Sequence, residues 1–435
     1  MSKSNFSRRK FLTASILSTV GLGAIPSLSF GKNVSSMADS AKVRLGFIGV
    51  GRQAMGLLNN MMKNPLVDVV AGADVYEIKL DRFKQRVAKL YADEKRTAPA
   101  LKVYADYKEL LTNPEVDAVV IASPDHWHAM MAIDACHANK DIYLEKPLTF
   151  TVHEGQELVK AVRSNGTVLA VGSMQRSGAN FQHAARMVQK GMLGDIKQVL
   201  VNVGTPPHPK PYDLPAQPVP AGLDWKTWTG PLPDIHYNEE LDPPISLNPE
   251  QNEKVWGAWR WYKETGGGLM TDWGAHMIDV AQWGLGMDRN GPVEVIPASG
   301  STPLTYKYAN GIEMLITSFD KGRQGVKFLG EKGWIKVSRG QYDTDVAACE
   351  RKFSKDELGF GAHHVDFITS IIQRKDPVVP VEIGHSSCTV CTIGNIAHEL
   401  GRPVKWNPIA QGFEDDWEAN MKLHYNYQHG YSLKT

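Results

Sequence analysis

From Val43 onward, short apolar runs alternate with segments whose apolar positions recur every three to four residues, the two periods that separate strands from amphipathic helices. Val43 to Ile48, Val67 to Ala73, Ala118 to Ile121, Asp141 to Leu144 and Val168 to Val171 are continuous apolar stretches, the form taken by parallel strands buried on both faces. Helices are predicted between them at Gln53 to Lys63, Ile78 to Ala92, Ala129 to Ala138 and Val152 to Ser164. Strand, glycine turn, helix and strand repeated in this way predict an α/β unit with a doubly wound parallel sheet.

After Gly172 the pattern changes. A helix at Phe181 to Lys190 and a strand at Ile196 to Val203 lead into residues 205–252, which hold about half of the 25 prolines. A structureless insertion of that length is usually functional, and this one is expected to border the substrate pocket. Beyond it come a helix at Ala275 to Leu285 and strands at Val293 to Ser299, Ile312 to Phe319, Gly325 to Leu329 and Trp334 to Val337. Turns such as Asn310-Gly311 join them, which predicts an open, mostly antiparallel sheet, completed by helices at Gly361 to Arg374 and Ser386 to Gly401.

At 435 residues the chain exceeds the usual size of one hydrophobic core, so two domains are expected. Their bounds are 41–172 for a nucleotide-binding Rossmann domain and 173–435 for a substrate and oligomerisation domain, after a leader and linker at 1–40. A net charge of +1 gives no global field that would favour nucleic acid or an anionic membrane, which leaves small neutral or weakly polar ligands. Ser7, Arg8, Arg9, Lys10, Phe11 and Leu12 form a twin-arginine signature ahead of a mildly apolar run, which predicts export through the Tat translocon, cleavage between Ala24 and Ser40, and a periplasmic protein. The competing reading is a short membrane anchor, for which the run is too short and too rich in small residues. Cys136, Cys349, Cys388 and Cys391 are too few for a disulfide framework. Cys388-x-x-Cys391 lacks a second Cys or His pair at metal spacing, so no metal is predicted. Core packing on a helix is the expectation, with a disulfide as the alternative.

Gly49-Val50-Gly51-Arg52-Gln53-Ala54 is a G-x-G-x-x-A turn placed after a predicted strand and opening a predicted helix. The glycines allow the tight turn and the approach of a pyrophosphate, and the helix N-terminus faces its charge. Asp74 ends the second strand at the interval expected of a group that accepts hydrogen bonds from ribose hydroxyls. A carboxylate there repels a 2′-phosphate, so NAD is favoured over NADP. Alone, Asp74 also reads as a turn residue.

Lys146, in Glu145-Lys146-Pro147, falls at the carboxyl edge of the sheet. Asp272 and His276 follow Gly266-Gly267-Gly268 and share one helix face if the helix has begun. Taken singly, these are a solvated lysine, an N-cap aspartate and a core histidine. Together with the turn at Gly49 to Ala54 and with Ser123-Pro124-Asp125-His126-Trp127-His128-Ala129, their order along the chain resembles the Gfo/Idh/MocA oxidoreductases, the glucose-fructose oxidoreductase and inositol dehydrogenase type. The resemblance runs from about Val43 through the second domain.

The resemblance implies a Rossmann domain followed by an α/β domain used in homo-oligomer contacts. It also implies hydride transfer between NAD and a CH–OH group of a sugar or polyol. Lys146 would contact the nicotinamide ribose and the reacting hydroxyl, His276 would be the general base, and Asp272 its partner or a substrate ligand. Gly49, Gly51, Arg52, Gln53, Asp74, Glu145 and the segment Ser123, Asp125, His126, Trp127 and His128 would hold the cofactor. Gln175, Arg176 and Arg260 are further substrate-contact candidates. The chemistry agrees with this assignment: alcohol oxidation needs a proton acceptor, and a cation to stabilise the developing alkoxide. An exported enzyme meets little free NAD, so the cofactor is expected to stay bound and to be reoxidised in place. The alternative within the superfamily is an NAD-dependent glycosidase that works by transient oxidation, elimination and re-reduction. The Glu145-Lys146-Pro147 triplet favours the ordinary dehydrogenase, and the combined Lys146, Asp272 and His276 argue against a non-catalytic sensor.

Overall fold

The computed structural model describes residues 42–248, 251 and 255–433. The twin-arginine signature and the expected cleavage region lie outside the described residues. Val43–Ile48 (β1), Val67–Ala73 (β2), Lys102–Tyr104 (β3), Ala118–Ile121 (β4), Asp141–Leu144 (β5) and Leu169–Val171 (β6) form a six-stranded sheet in the order β3-β2-β1-β4-β5-β6. Every pairing in it is parallel. Apolar clusters cover both faces, which is why these strands are apolar without alternation. The order reverses between β1 and β4, and the carboxyl ends at such a switch point open a crevice for ligands.

The second sheet has nine strands. Ile196–Asn202 (β7), Glu294–Ile296 (β8), Leu304–Lys307 (β9), Glu313–Ile316 (β10), Gly325–Gly330 (β11), Gly333–Ser338 (β12), Gln341–Thr344 (β13), Val404–Asn407 (β14) and Gly412–Phe413 (β15) follow the order β13-β12-β11-β7-β10-β9-β8-β14-β15. Only β7 and β10 pair in parallel, so the sheet is mostly antiparallel, as the turn pattern predicts. Its inner face, with Val199, Val201, Met314, Val326 and Phe328, is buried with the helices Ala179–Gln189 and Gly274–Gly284 in one core. The outer face carries half-buried Leu200, Leu315, Leu329 and Trp334.

The proline-rich insertion departs from the structureless loop expected of it. Among its described residues it holds one short helix, Trp225–Thr229, and its Trp228 and Tyr237 join Trp259 and Tyr262 in an aromatic cluster that packs on Tyr76 beyond β2. The Lys79 ammonium in helix Glu77–Asp93 pairs with Asp242 of the insertion, both nearly buried. The second domain thus sends a strap back across the carboxyl edge of the first sheet. Cys388 and Cys391 are buried free thiols on helix Val381–Leu400, and burial pushes the Cys388 thiol up to about 11, as expected of core residues.

Candidate active site

The turn after β1 is built for close approach. Gly49 has φ +75°, and a Cβ there would meet the Ser123 backbone nitrogen at 2.8 Å, so only glycine lets this turn pass beside the end of β4. A Cβ on Gly51 would meet nothing within 4 Å: that face of the turn is open. Gly51 also starts helix Arg52–Met61 with no side-chain cap, so first-turn N–H groups remain for an anion. Asp74 accepts hydrogen bonds from Val50 N (2.8 Å, Oδ2) and Tyr76 N (3.0 Å, Oδ1), which fixes its carboxylate beside the turn. The bare glycine face, the uncapped helix and the aligned carboxylate fit a dinucleotide.

The cleft that contains them has Gly49, Gly51, Arg52, Gln53 and Asp74 on one wall and Thr227, Trp228, Asp242 and Trp256 of the strap on the other. A second cavity of about 300 Å³ lies deeper, lined by Asp125, Glu145, Lys146, Asp272, His276 and Arg339. The two share Gln53, Ser123, Trp256, Trp259 and Arg260, so a molecule lying in the cleft ends against the inner cavity.

Lys146 and Asp272 come together there. Lys146 Nζ lies 2.5 Å from Asp272 Oδ1 and 3.0 Å from its backbone oxygen, and Arg260 Nε lies 3.8 Å from the same Oδ1. Burial alone would raise the Asp272 carboxyl, but Lys146 and Arg260 outweigh it and hold it below the usual carboxylate range. Asp272 ends helix Gly268–Asp272 and His276 lies in the next helix, Gly274–Gly284. Of the two roles expected of Asp272, partner of His276 or substrate ligand, the first gives way to its pairing with Lys146. The nearest partner of His276 is the Gln175 amide, and burial, followed by the Lys146 and Arg339 cations, keeps the imidazole well below its ordinary pKa and neutral.

Glu145 accepts from Gln53 Nε2 at 2.7 Å, which joins the glycine turn to the lysine motif. Ser123 lines both cavities, Trp127 the cleft and Asp125 the inner cavity. His126 and His128 line neither. His126 Nε2 and Trp127 Nε1 both meet Trp228 O, at 3.0 and 2.9 Å, which anchors the strap. The His128 ring spans Pro147 O (2.7 Å) and Ser123 O (3.0 Å), joining two motif loops, and burial pushes both histidines down to about 4.

Arg176 also departs from its expected place. Its guanidinium is 2% exposed and pairs with Asp279 (2.8 Å) and Asp288 (2.8 Å), which makes it a core tie rather than a cavity wall. Gln175 is fully buried behind His276. Arg260 lies in both walls, 4.1 Å over the Trp259 ring.

Sequence reasoning missed Arg339, in the turn between β12 and β13, and Trp256, which lies under both Arg52 (4.5 Å) and Arg260 (5.1 Å). The aromatic run Trp256 to Tyr262 was the available signal for the latter, whereas an arginine in a hairpin turn gives none.

A Rossmann cleft facing an ammonium–carboxylate pair defines a dinucleotide-binding oxidoreductase architecture. Residues 43–173 match the family described as the Gfo/Idh/MocA oxidoreductases, NAD-binding Rossmann fold, and residues 177–433 match its C-terminal alpha/beta domain. The chain belongs to this family.

Among curated relatives, an alpha-N-acetylgalactosaminidase of Shewanella oneidensis is 29% identical over 209 residues, 44% of each chain. A glycosyl hydrolase family 109 protein of Stenotrophomonas maltophilia is 29% identical over 259 residues, 56% of this chain and 54% of the relative. The matches thus span about half of these relatives. Solved structures that share the fold include the following two. The aldose-aldose oxidoreductase from Caulobacter crescentus complexed with glycerol has TM-score 0.59 and 18% identity, over 84% of this chain and 99% of that one. The WlbA dehydrogenase from Bordetella pertussis in complex with NADH and UDP-GlcNAcA has TM-score 0.59 and 20% identity, over 84% and 98%.

Proposed function

We propose that this NAD-binding oxidoreductase acts on a CH–OH group of a sugar or polyol, with Lys146 and His276 flanking the reacting oxygen. The observation that carries the reading is the Lys146–Asp272 pair, set in a cavity that shares walls with the dinucleotide cleft. NAD, when bound, supplies the acceptor for two electrons and the carbon-bound hydrogen. Gly49, Gly51 and the first turn of helix Arg52–Met61 would hold its pyrophosphate. Asp74 would hold its adenosine ribose and disfavour a 2′-phosphate. The Lys146 ammonium, aligned by Asp272, stabilises negative charge as the substrate hydroxyl gives up its proton. Trp256, Trp259 and Trp273 offer apolar faces for a sugar ring, while Arg260 and Arg339 supply donors to its hydroxyls. The strap walls the dinucleotide cleft, which suits a cofactor that stays bound through turnover.

The similarity to the Shewanella oneidensis alpha-N-acetylgalactosaminidase supports a second reading, an NAD-dependent glycosidase that oxidises, eliminates and re-reduces at the same site. Purified protein incubated with polyols, free sugars and glycosides separates the two. A keto product with reduced nicotinamide supports net oxidation, and free aglycone without net redox change supports the glycosidase. Ligand binding with neither product sinks both.

The Ser7 to Leu12 signature supports export by the twin-arginine route, so Arg8→Lys with Arg9→Lys should retain the protein in the cytoplasmic fraction. Leu200, Leu315, Leu329 and Trp334 support a homo-oligomer through the outer face of the second sheet, and a monomeric mass in light scattering overturns it.

A further inference from the structure

The proton inventory around His276 differs from that of a general base. The Gln175 amide lies between His276 and Arg339. Arg339 offers only donors, so the amide oxygen faces it, 3.0 Å from Nε and 2.9 Å from Nη2, and the amide nitrogen donates to His276 Nδ1 at 2.8 Å. Gln175 is fully buried, so bulk water offers neither end of the amide another partner. A ring nitrogen that accepts a hydrogen bond carries no proton. The neutral imidazole must then carry its proton on Nε2.

The charged ring is excluded by the same contacts. An imidazolium would set Nδ1–H against the amide N–H, in a site that already holds the Lys146 and Arg339 cations and the His363 ring. Asp272, in the same cavity, is committed to Lys146 and Arg260.

We propose that Arg339 and Gln175 form a tautomer lock, so that His276 presents Nε2–H to the substrate oxygen as a hydrogen-bond donor and another group takes the hydroxyl proton. The proposal rests on the inner cavity being the reaction site. Nε2–H and the Lys146 ammonium then act together on the oxygen as negative charge develops. The O–H bond of the substrate breaks and an O–H bond forms at a cavity carboxylate. Asp272 is paired with Lys146, so the acceptor is one of the other two carboxylates that line the cavity, Asp125 or Glu145. Burial pushes the Asp125 carboxyl up to about 7, a value suited to exchanging a proton near neutrality. Gln175 and Arg339 are positioning residues, since they act through His276.

Nitrogen NMR of the full chain, labelled at histidine and with its nucleotide retained, reads the tautomer directly, with His276→Gln identifying the resonance. The expected result is an unprotonated Nδ1 and a protonated Nε2. A protonated Nδ1, in a neutral or a charged ring, overturns the lock. In Gln175→Glu the carboxylate should accept from Nδ1–H and invert the tautomer, lowering kcat on the order of 100-fold with KM within about threefold. An inverted tautomer with unchanged kcat overturns the donor role. The spectrum requires no turnover, so a locked ring in a protein inert toward every sugar would sink the proposed function and leave the lock standing.

Discussion

Lys146 Nζ and Asp272 Oδ1 meet at 2.5 Å across the junction of the two domains, one side chain following β5 and the other ending a helix that leads into the second core. Neither domain alone makes this pair, so the inner cavity is assembled by docking. Lys146→Ala removes the cation at the reacting oxygen but touches none of the glycine-turn or Asp74 contacts. Turnover should fall by about 100-fold or more, while gently purified protein still carries nucleotide by mass spectrometry. Loss of nucleotide together with activity would place Lys146 in cofactor binding instead.

Asp74 is tied to Val50 N and Tyr76 N, so its carboxylate shapes the turn as well as facing the cleft. Asp74→Ala leaves two backbone donors without those partners and should cost on the order of 1–3 kcal/mol in stability, together with weaker NAD retention. Calorimetric titration of the apoprotein with NAD and NADP checks the second part. An unchanged preference for NAD in the variant would separate Asp74 from the ribose.

Residues whose role is set by local pattern were legible in the sequence. β1, β2, β4 and β5 match their apolar runs residue for residue, because strands buried on both faces have no alternation to confuse the reading. β3, with three residues, and β9, beside Pro303, lack enough apolar length to stand out. The site was legible as a set of motifs but not as a set of contacts. Asp272 and His276 are four apart and both line the inner cavity, yet Asp272 pairs with Lys146 and Arg260 and His276 meets Gln175, partners that the spacing alone does not reveal. Arg176 looks like its neighbour Gln175 in sequence, and only Asp279 and Asp288, more than 100 residues away, decide that it is a core tie.

Asp125 gives the fold a pH signature. A carboxyl raised from 3.8 to about 7 binds its proton more tightly folded than unfolded. It therefore favours the fold at acidic pH, and that contribution is lost as pH rises from 3.8 toward 7. Asp125→Asn lacks the titration, so its stability relative to the unmodified protein should improve with rising pH across this window, by at most about 1.4 kcal/mol per pH unit. Parallel unfolding curves at pH 5 and pH 7 give the difference. A relative stability that does not change between them would show that Asp125 titrates as an ordinary surface carboxylate.

The strap links retention of the cofactor to contacts remote from the chemistry. Asp242 pairs with Lys79 below the surface, Trp228 O accepts from His126 and Trp127, and the chain terminus braces the same region: Gln428 N donates to Pro231 O, and Tyr431 packs edge-on against Trp127 at 5.5 Å. Because Asp242 and Trp228 also wall the dinucleotide cleft, opening the strap opens the exit path for bound nucleotide. Removing one partner of a buried ion pair costs on the order of 3 kcal/mol, and a closed state destabilised by that amount releases its ligand about 100-fold faster. Asp242→Ala should therefore lose NAD during gel filtration, with kcat recovered when NAD is supplied in excess. Arg402→Ala, which removes an exposed pair with Asp416 far from the cleft, should not. Equal retention in both variants would mean that the nucleotide is held by the glycine turn and Asp74 alone.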